Sequence, residues 1–420
     1  MRIYSRVGLS ILIAAASSLL LAFYFIFQGG DQPASLIAYP AQLQEVLSAS
    51  TAPAIQSFHP PLHTQGRFIV DANNTRFKLV SVNWYGASDE LFVVGGLNIR
   101  HRKDIAHTIR QLGFNSVRLP YSDELVRANP IVSPHLLSAN LDLVGLSALT
   151  IFAEVVNTLT DSGLAVIIND HITQARWCCD ANLCDAQWYN DYLGPFCPVR
   201  QTTEDWIQNL ETVMTPHISN PLVVGVDLRN EVRGVADRFL WNSWAAAAEA
   251  AAERLHSLQP EWLMIVEGVS SANILSGSHR RPVRLSLPNK LVYSAHVYGW
   301  SGWGTLRPYW KRTYASFAAD MDKHWGFLLD EALTPVWIGE FGAPDNPAER
   351  DMNYWQNLVR YLTEKDVDFG YWAINPRKPH NDAEESYGLL DDDWVTPRYD
   401  YRLYDMWSIA TSRDIDNEDL

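Results

Sequence analysis

Eight short apolar runs recur along the chain, at 79–84, 116–119, 165–170, 223–228, 264–267, 291–296, 336–339 and 370–374. Most are near-continuous Val, Ile and Leu, the pattern of parallel strands buried on both faces. Helical stretches lie between them. One spans 104–112 and stops at Gly113, and another spans 146–162 and stops at Gly163. Each glycine stands where the chain leaves a helix through a left-handed residue. An alanine-rich helix opens at Ser243 and ends before Pro260, and a further helix covers 351–365. Eight strand–helix units in one continuous region predict an α/β fold, a (β/α)8 barrel. The rival is a doubly wound open sheet, which calls for a glycine-rich phosphate loop after its first strand. Trp84-Tyr85-Gly86-Ala87 is not such a loop. Ahead of the first run, residues 67–79 read as a hairpin turning at Asn73-Asn74, placed to cap the bottom of the barrel.

The amino terminus follows another pattern. Arg2 and Arg6 precede an uncharged apolar run of 21 residues, 7–27, and the next charge is Asp31. That is long enough to cross a bilayer as a helix. Small residues suited to signal cleavage, 14–18, lie mid-run, with 19–27 apolar after them. The reading is therefore an uncleaved signal anchor with residues 1–6 cytoplasmic, and a cleaved signal peptide is the alternative. Residues 28–65, with Pro33, Pro40, Pro53, Pro60 and Pro61, form a linker, 66–410 the barrel domain, and 411–420 an acidic tail. The expected location is extracytoplasmic, membrane-anchored (type II) or secreted.

The cysteines fit that compartment. Cys178, Cys179, Cys184 and Cys197 fall within 20 residues. They read as two local disulfides clamping one long loop, with a four-thiolate zinc site as the weaker rival because paired CxxC spacing is absent. A bridge between adjacent cysteines is sterically poor. Cys178 and Cys179 are therefore each expected to pair with one of the later two. Asn73-Asn74-Thr75 is one glycosylation sequon, at Asn73.

Net charge is −15 with a sequence pI near 5.2. This argues against nucleic acid or an anionic membrane surface as the main partner. The polar residues at the strand ends are more informative. Arg118 ends the second run and His171 the third. Asn230 and Glu231 end the fourth, His296 and Tyr298 the sixth and Glu340 the seventh, while Trp372 lies in the eighth. Singly, each has a plain structural reading: Arg118 an ion-pair partner, His171 a satisfied core histidine, Glu231 a loop-edge acid. Together they sit where a barrel gathers its chemistry, at the C-terminal ends of its strands. Two carboxylates on different strands, Glu231 and Glu340, are the minimum apparatus for cleaving a glycosidic bond. Sixteen tryptophans supply faces for stacking on sugars as well as for core packing.

Quoted as they stand, Val117-Arg118-Leu119-Pro120, Asp170-His171, Leu228-Arg229-Asn230-Glu231, His296-Val297-Tyr298, Ile338-Gly339-Glu340-Phe341-Gly342 and Tyr371-Trp372 make the chain similar to glycoside hydrolase family 5 over roughly 66–410. The resemblance implies a retaining endo-β-glycosidase, with β-1,4-glucan the foremost substrate and β-mannan, xyloglucan or another β-glucoside as alternatives. The rival of another class is a barrel that has lost catalysis and only binds glycan. The resemblance implies Glu231 as general acid/base, protonated when it assists the leaving oxygen, and Glu340 as an ionised nucleophile served by Arg118 and Tyr298. Asn230 then meets the sugar 2-hydroxyl, His171 and His296 border the subsite, and Trp372 forms its floor. Neither metal nor cofactor is implied, and a monomer is expected. The chain departs from the family where Asn169-Asp170-His171 replaces Asp-x-His, which leaves the part of Asp170 in doubt. The long cysteine loop, with Trp177, Trp188, Tyr189 and Tyr192, reads as a rim of the cleft, and Trp300 and Trp303 are further stacking candidates. Retention requires the two carboxyls about 5–5.5 Å apart, and about 9 Å would mean inversion.

Overall fold

The computed structural model describes residues 52–55, 57–179, 182–234, 237–301 and 308–411. The anchor at 7–27 with its flank at 1–6, most of the linker, Trp303 and the tail beyond 411 lie outside the described residues. Among those described, no helix is long and apolar enough to cross a membrane.

A two-stranded antiparallel hairpin comes first, β1 (His63–Gln65) with β2 (Phe68–Val70). Eight strands then close a barrel: β3 (Val80–Asn83), β4 (Ser116–Ser122), β5 (Ala165–Ile172), β6 (Val223–Asp227), β7 (Leu263–Glu267), β8 (Leu291–His296), β9 (Val336–Phe341) and β10 (Asp368–Tyr371). Each pairs in parallel with its chain neighbours, and β10 pairs back onto β3. The expected barrel is observed. Closure leaves no sheet edge, so the runs can stay apolar on both faces. Apart from Leu291, every residue of these eight strands is buried.

The helices follow local signals. Arg102–Gln111 and Ala148–Asp161 are left through Gly113 (φ +87°) and Gly163 (φ +78°), as expected. Thr203–Met214 starts on a reciprocal cap, in which Thr202 Oγ1 accepts from the Asp205 N–H and Asp205 accepts from the Thr202 N–H. The alanine-rich helix runs Asp237–Leu258, opening six residues before Ser243 because Leu240, Trp241 and Trp244 already bury a face there.

Two expectations at the barrel bottom need correction. The main hairpin turns at Gly66-Arg67. The turn at Asn73-Asn74 exists, with Asp71 accepting from the Asn73 and Thr75 N–H groups, but only a single bridge, Val70 to Arg76, flanks it. The domain also begins before residue 66. Leu62 is buried with Ile69, Phe77 and Leu79 against Ile167, Ile265 and Trp337, plugging the N-terminal mouth of the barrel. Asn73 is exposed.

The disulfides also differ from expectation. Cys178 bonds Cys179, and Cys184 bonds Cys197. The 178–179 peptide is cis, and the two Cα atoms are 3.1 Å apart, close enough for neighbours to meet where the expectation had each reaching to a later cysteine.

Candidate active site

Arg118 organises the open mouth. It leaves β4 fully buried and engages all five of its N–H donors. Nε donates to Asp227 Oδ2 at 2.8 Å. Nη1 donates to Asn83 Oδ1 at 3.0 Å and to Glu340 Oε1 at 2.5 Å. Nη2 donates to Asn230 Oδ1 at 2.7 Å and to Glu267 Oε1 at 3.0 Å. Parallel register makes this possible, because Arg118 lies opposite Asn83 and His296 lies opposite Glu340 at the same height. Burial disfavours the guanidinium charge, but Asp227, Glu340 and Glu267 outweigh it and hold the group firmly charged.

Glu340 also accepts from the Tyr298 hydroxyl at 2.9 Å. Burial pushes its carboxyl above the usual carboxylate range, while His296 and Arg118 favour the ionised form. The Tyr298 phenol is driven well above its ordinary value by burial and by Glu340, so it stays a neutral donor. Gly339, just before, has no room for a side chain. A Cβ there would lie 2.7 Å from Ser294 Oγ and 3.1 Å from His296 Nε2.

Glu231 sits just beyond β6 with a left-handed backbone, φ +49°. Its Oε1 is 3.1 Å from His296 Nδ1, and its N–H donates to Glu267 Oε2 at 2.6 Å. One carboxylate oxygen each of Glu231 and Glu340, with one ring nitrogen of His296, lie within 4.8 Å of one another. By spacing alone these three could hold a cation. Burial opposes charge on His296, yet Glu267 and Glu340 raise it well above its ordinary value. As an imidazolium it has only donors to offer, which suits hydrogen bonding to carboxylates better than ligation.

His171 is neutral, held well below its ordinary value by burial and by the Arg118 and His296 charges. Its Nδ1 lies 2.9 Å from Asn169 Oδ1. Asn169 therefore takes the place two residues before the histidine. Asp170 points elsewhere, accepting from Trp206 Nε1 at 2.7 Å and pairing with the buried Arg229 at 3.2 Å. The Trp372 ring stacks on Tyr85 at 4.7 Å and lies parallel to the His171 ring at 5.6 Å, with Trp177 edge-on at 6.3 Å.

The structure thus brings Arg118, His171, Asn230, Glu231, His296, Tyr298, Glu340 and Trp372 to one mouth. Trp177 is half-buried there, and Trp300, 44% exposed, stacks on the Tyr298 ring at 4.5 Å. Trp188 does not belong to the rim. It is 3% exposed, donates to Thr203 Oγ1 and packs against Trp206 and Trp244, because its loop segment folds back onto two helices. Sequence reasoning missed Asn83, Asp227 and Glu267. Each carried the available signal, a polar residue at or one short of the end of an apolar run.

The family model Cellulase (glycosyl hydrolase family 5) matches residues 70–378. The chain belongs to glycoside hydrolase family 5. It is a glycoside hydrolase, and the cleft just described is that of a family 5 barrel. Among proteins it resembles, an endoglucanase from Paenibacillus polymyxa is 29% identical over 352 residues, covering 80% of this chain and 83% of that protein. A glycosyl hydrolase 5 family protein from Chamaecyparis obtusa is 30% identical over 372 residues, covering 81% and 64%. Of solved structures, the catalytic domain of the major endoglucanase from Xanthomonas campestris pv. campestris superposes with a TM-score of 0.70 at 27% identity, over 83% of this chain and 99% of that one. A cellotetraose complex of an endocellulase from Pyrococcus horikoshii gives a TM-score of 0.68 at 26% identity, over 84% and 100%.

Proposed function

We propose that this family 5 barrel is a retaining endo-β-glycosidase acting on β-1,4-glucan, with Glu231 as general acid/base and Glu340 as nucleophile. The observation that carries the reading is the approach of the two carboxylates, one oxygen of each lying within 4.8 Å of the other, close enough for a retaining pair and short of the gap of about 6.5–9.5 Å that leaves room for water in inversion. Relatives that are endoglucanases, and a neighbour complexed with cellotetraose, support the substrate class.

Glu340, held by Arg118 and Tyr298, attacks the anomeric carbon while Glu231 passes its proton to the leaving oxygen. A covalent glycosyl–enzyme forms and the aglycone departs. Glu231, now ionised, takes a proton from water, the water attacks the anomeric carbon, and Glu340 is released. Asn230 faces the sugar 2-hydroxyl, His171 and His296 border the scissile sugar, and Trp372 offers it an apolar face. The chain works outside the cytoplasm, as a monomer, either secreted or held by the segment at 7–27.

Cleavage of cellotetraose followed by proton NMR tests this. The β-anomer of the new reducing end should appear first, and Glu340→Gln should abolish turnover. First appearance of the α-anomer would refute retention. Hydrolysis of β-mannan or xyloglucan with none of cellotetraose would refute the substrate.

A further inference from the structure

Glu267, the last residue of β7, belongs to none of the roles above. It is completely buried, and its two oxygens reach three parts of the site. Oε1 lies 3.0 Å from Arg118 Nη2 and 3.3 Å from His296 Nε2. Oε2 accepts from the Glu231 N–H at 2.6 Å. That last contact bears on Glu231 itself, because φ +49° is disfavoured for a residue with a side chain and persists only where the surroundings impose it. A short hydrogen bond to an ionised, solvent-free carboxylate is such an imposition. On its other side His296 turns Nδ1 to Glu231 Oε1. Glu267 therefore meets Glu231 twice, once through the backbone and once through an imidazole.

We propose that Glu267 is a positioning residue, which pins the left-handed backbone of Glu231 with one oxygen and fixes His296 with the other, so that the Glu231 carboxyl is aimed into the cleft. The assignment rests on the acid/base reading of Glu231. The groups facing His296 are Glu231 beyond β6, Glu267 on β7, Glu340 on β9 and His171 on β5; Arg118 on β4 engages Glu267 and Glu340, and the neutral Tyr298 beyond β8 engages Glu340. Burial opposes ionising Glu267, but His296, Arg118 and the Glu231 N–H outweigh it and hold its carboxyl at about 2. The imidazolium and the carboxylate thus sustain each other. Without the carboxylate, burial lowers the His296 titration. Any step that needs charged His296 then fails at a lower pH.

The test is Glu267→Gln, isosteric but uncharged, with Glu267→Asp as the charge-keeping control. In the wild type, nitrogen NMR should show both His296 ring nitrogens protonated well above pH 6.5. In Glu267→Gln that titration should fall by at least about one pH unit. The alkaline limb of the kcat/KM profile should move down with it, and kcat should drop at least about tenfold with KM little changed. Glu267→Asp should keep the limb near its wild-type position. A folded Glu267→Gln protein with unchanged limb and unchanged titration overturns the proposal. If Glu267→Gln does not fold, the wild-type spectrum still decides, because a neutral His296 at pH 7.5 refutes it. If the wild type cleaves no glycan, the hydrolase assay fails while the NMR arm still reports on Glu267.

Discussion

Arg118 shows how tightly a single residue can be determined. Its donors meet Asp227, Asn83, Glu340, Asn230 and Glu267, and none reaches solvent. A lysine has three donors on a compact head and cannot span that ring of acceptors. Arg118→Lys should therefore cost about 3–5 kcal/mol in urea unfolding, the penalty for leaving buried charges unpaired, and should lower kcat at least about a hundredfold. Loss of activity without loss of stability would mean that the buried acids find other partners. Arg118, Glu340 and Tyr298 were legible in the sequence because each breaks or follows an apolar run at a strand end. Glu267 and Asp227 carried the same mark. Their part was not legible, since it depends on which neighbours the register delivers. Trp188 was misread because residue type says nothing of which way a loop folds.

Among elements, the cysteine loop after β5 divides its labour. Cys184 and Cys197 join segments 13 residues apart, while Cys178 and Cys179 join neighbours and close no loop. Only the first pair restricts the unfolded chain, by about 3 kcal/mol for a loop near that size. The adjacent pair acts through contact. Its sulfurs lie 3.5 and 3.3 Å from Asn230 Nδ2, whose oxygen is held by Arg118. Removing Cys184 and Cys197 by alanine should lower the melting temperature and largely spare kcat at low temperature. Replacing Cys178 and Cys179 by alanine should do the reverse, with kcat down about tenfold and the melting temperature nearly kept. The opposite pattern would contradict this division. That the cysteines clamp one loop was readable from clustering alone. The pairing was not, because clustering in sequence does not say which of the four cysteines meet.

At the scale of the molecule, eight strand–helix units were visible because closure buries every strand and writes each as an apolar run. The start of the domain was hidden, since β1 has three residues with no alternation and lies among prolines. Stability should carry a pH signature. Burial lowers the titration of His217 to about 4, and neither ring nitrogen has a hydrogen-bond partner among the described residues. Burial also lowers His171, His256 and His324. The unfolded chain takes these protons near about pH 6.5, whereas the folded chain refuses them. The contribution of these four histidines is therefore whole above that pH and falls as pH drops toward 4. His217→Phe should recover about 1–3 kcal/mol of the loss, measured as urea unfolding at pH 7 and at pH 4.5. An unchanged difference between the two pH values would show that His217 is protonated without cost.

The full engagement of Arg118 also bears on which sugars the cleft admits. Arg118 has no donor to spare, and both His296 nitrogens face carboxylates. Arg118 and His296, the cations that meet the Glu231 and Glu340 carboxylates, are thus committed to the protein. A uronic acid at the scissile position would bring its carboxylate beside those glutamates with neither cation able to receive it, on a chain already carrying −15. Uncharged glycans meet no such repulsion. A uronic acid at that position should therefore lower kcat/KM against the neutral glycan, and equal turnover of the two would contradict this.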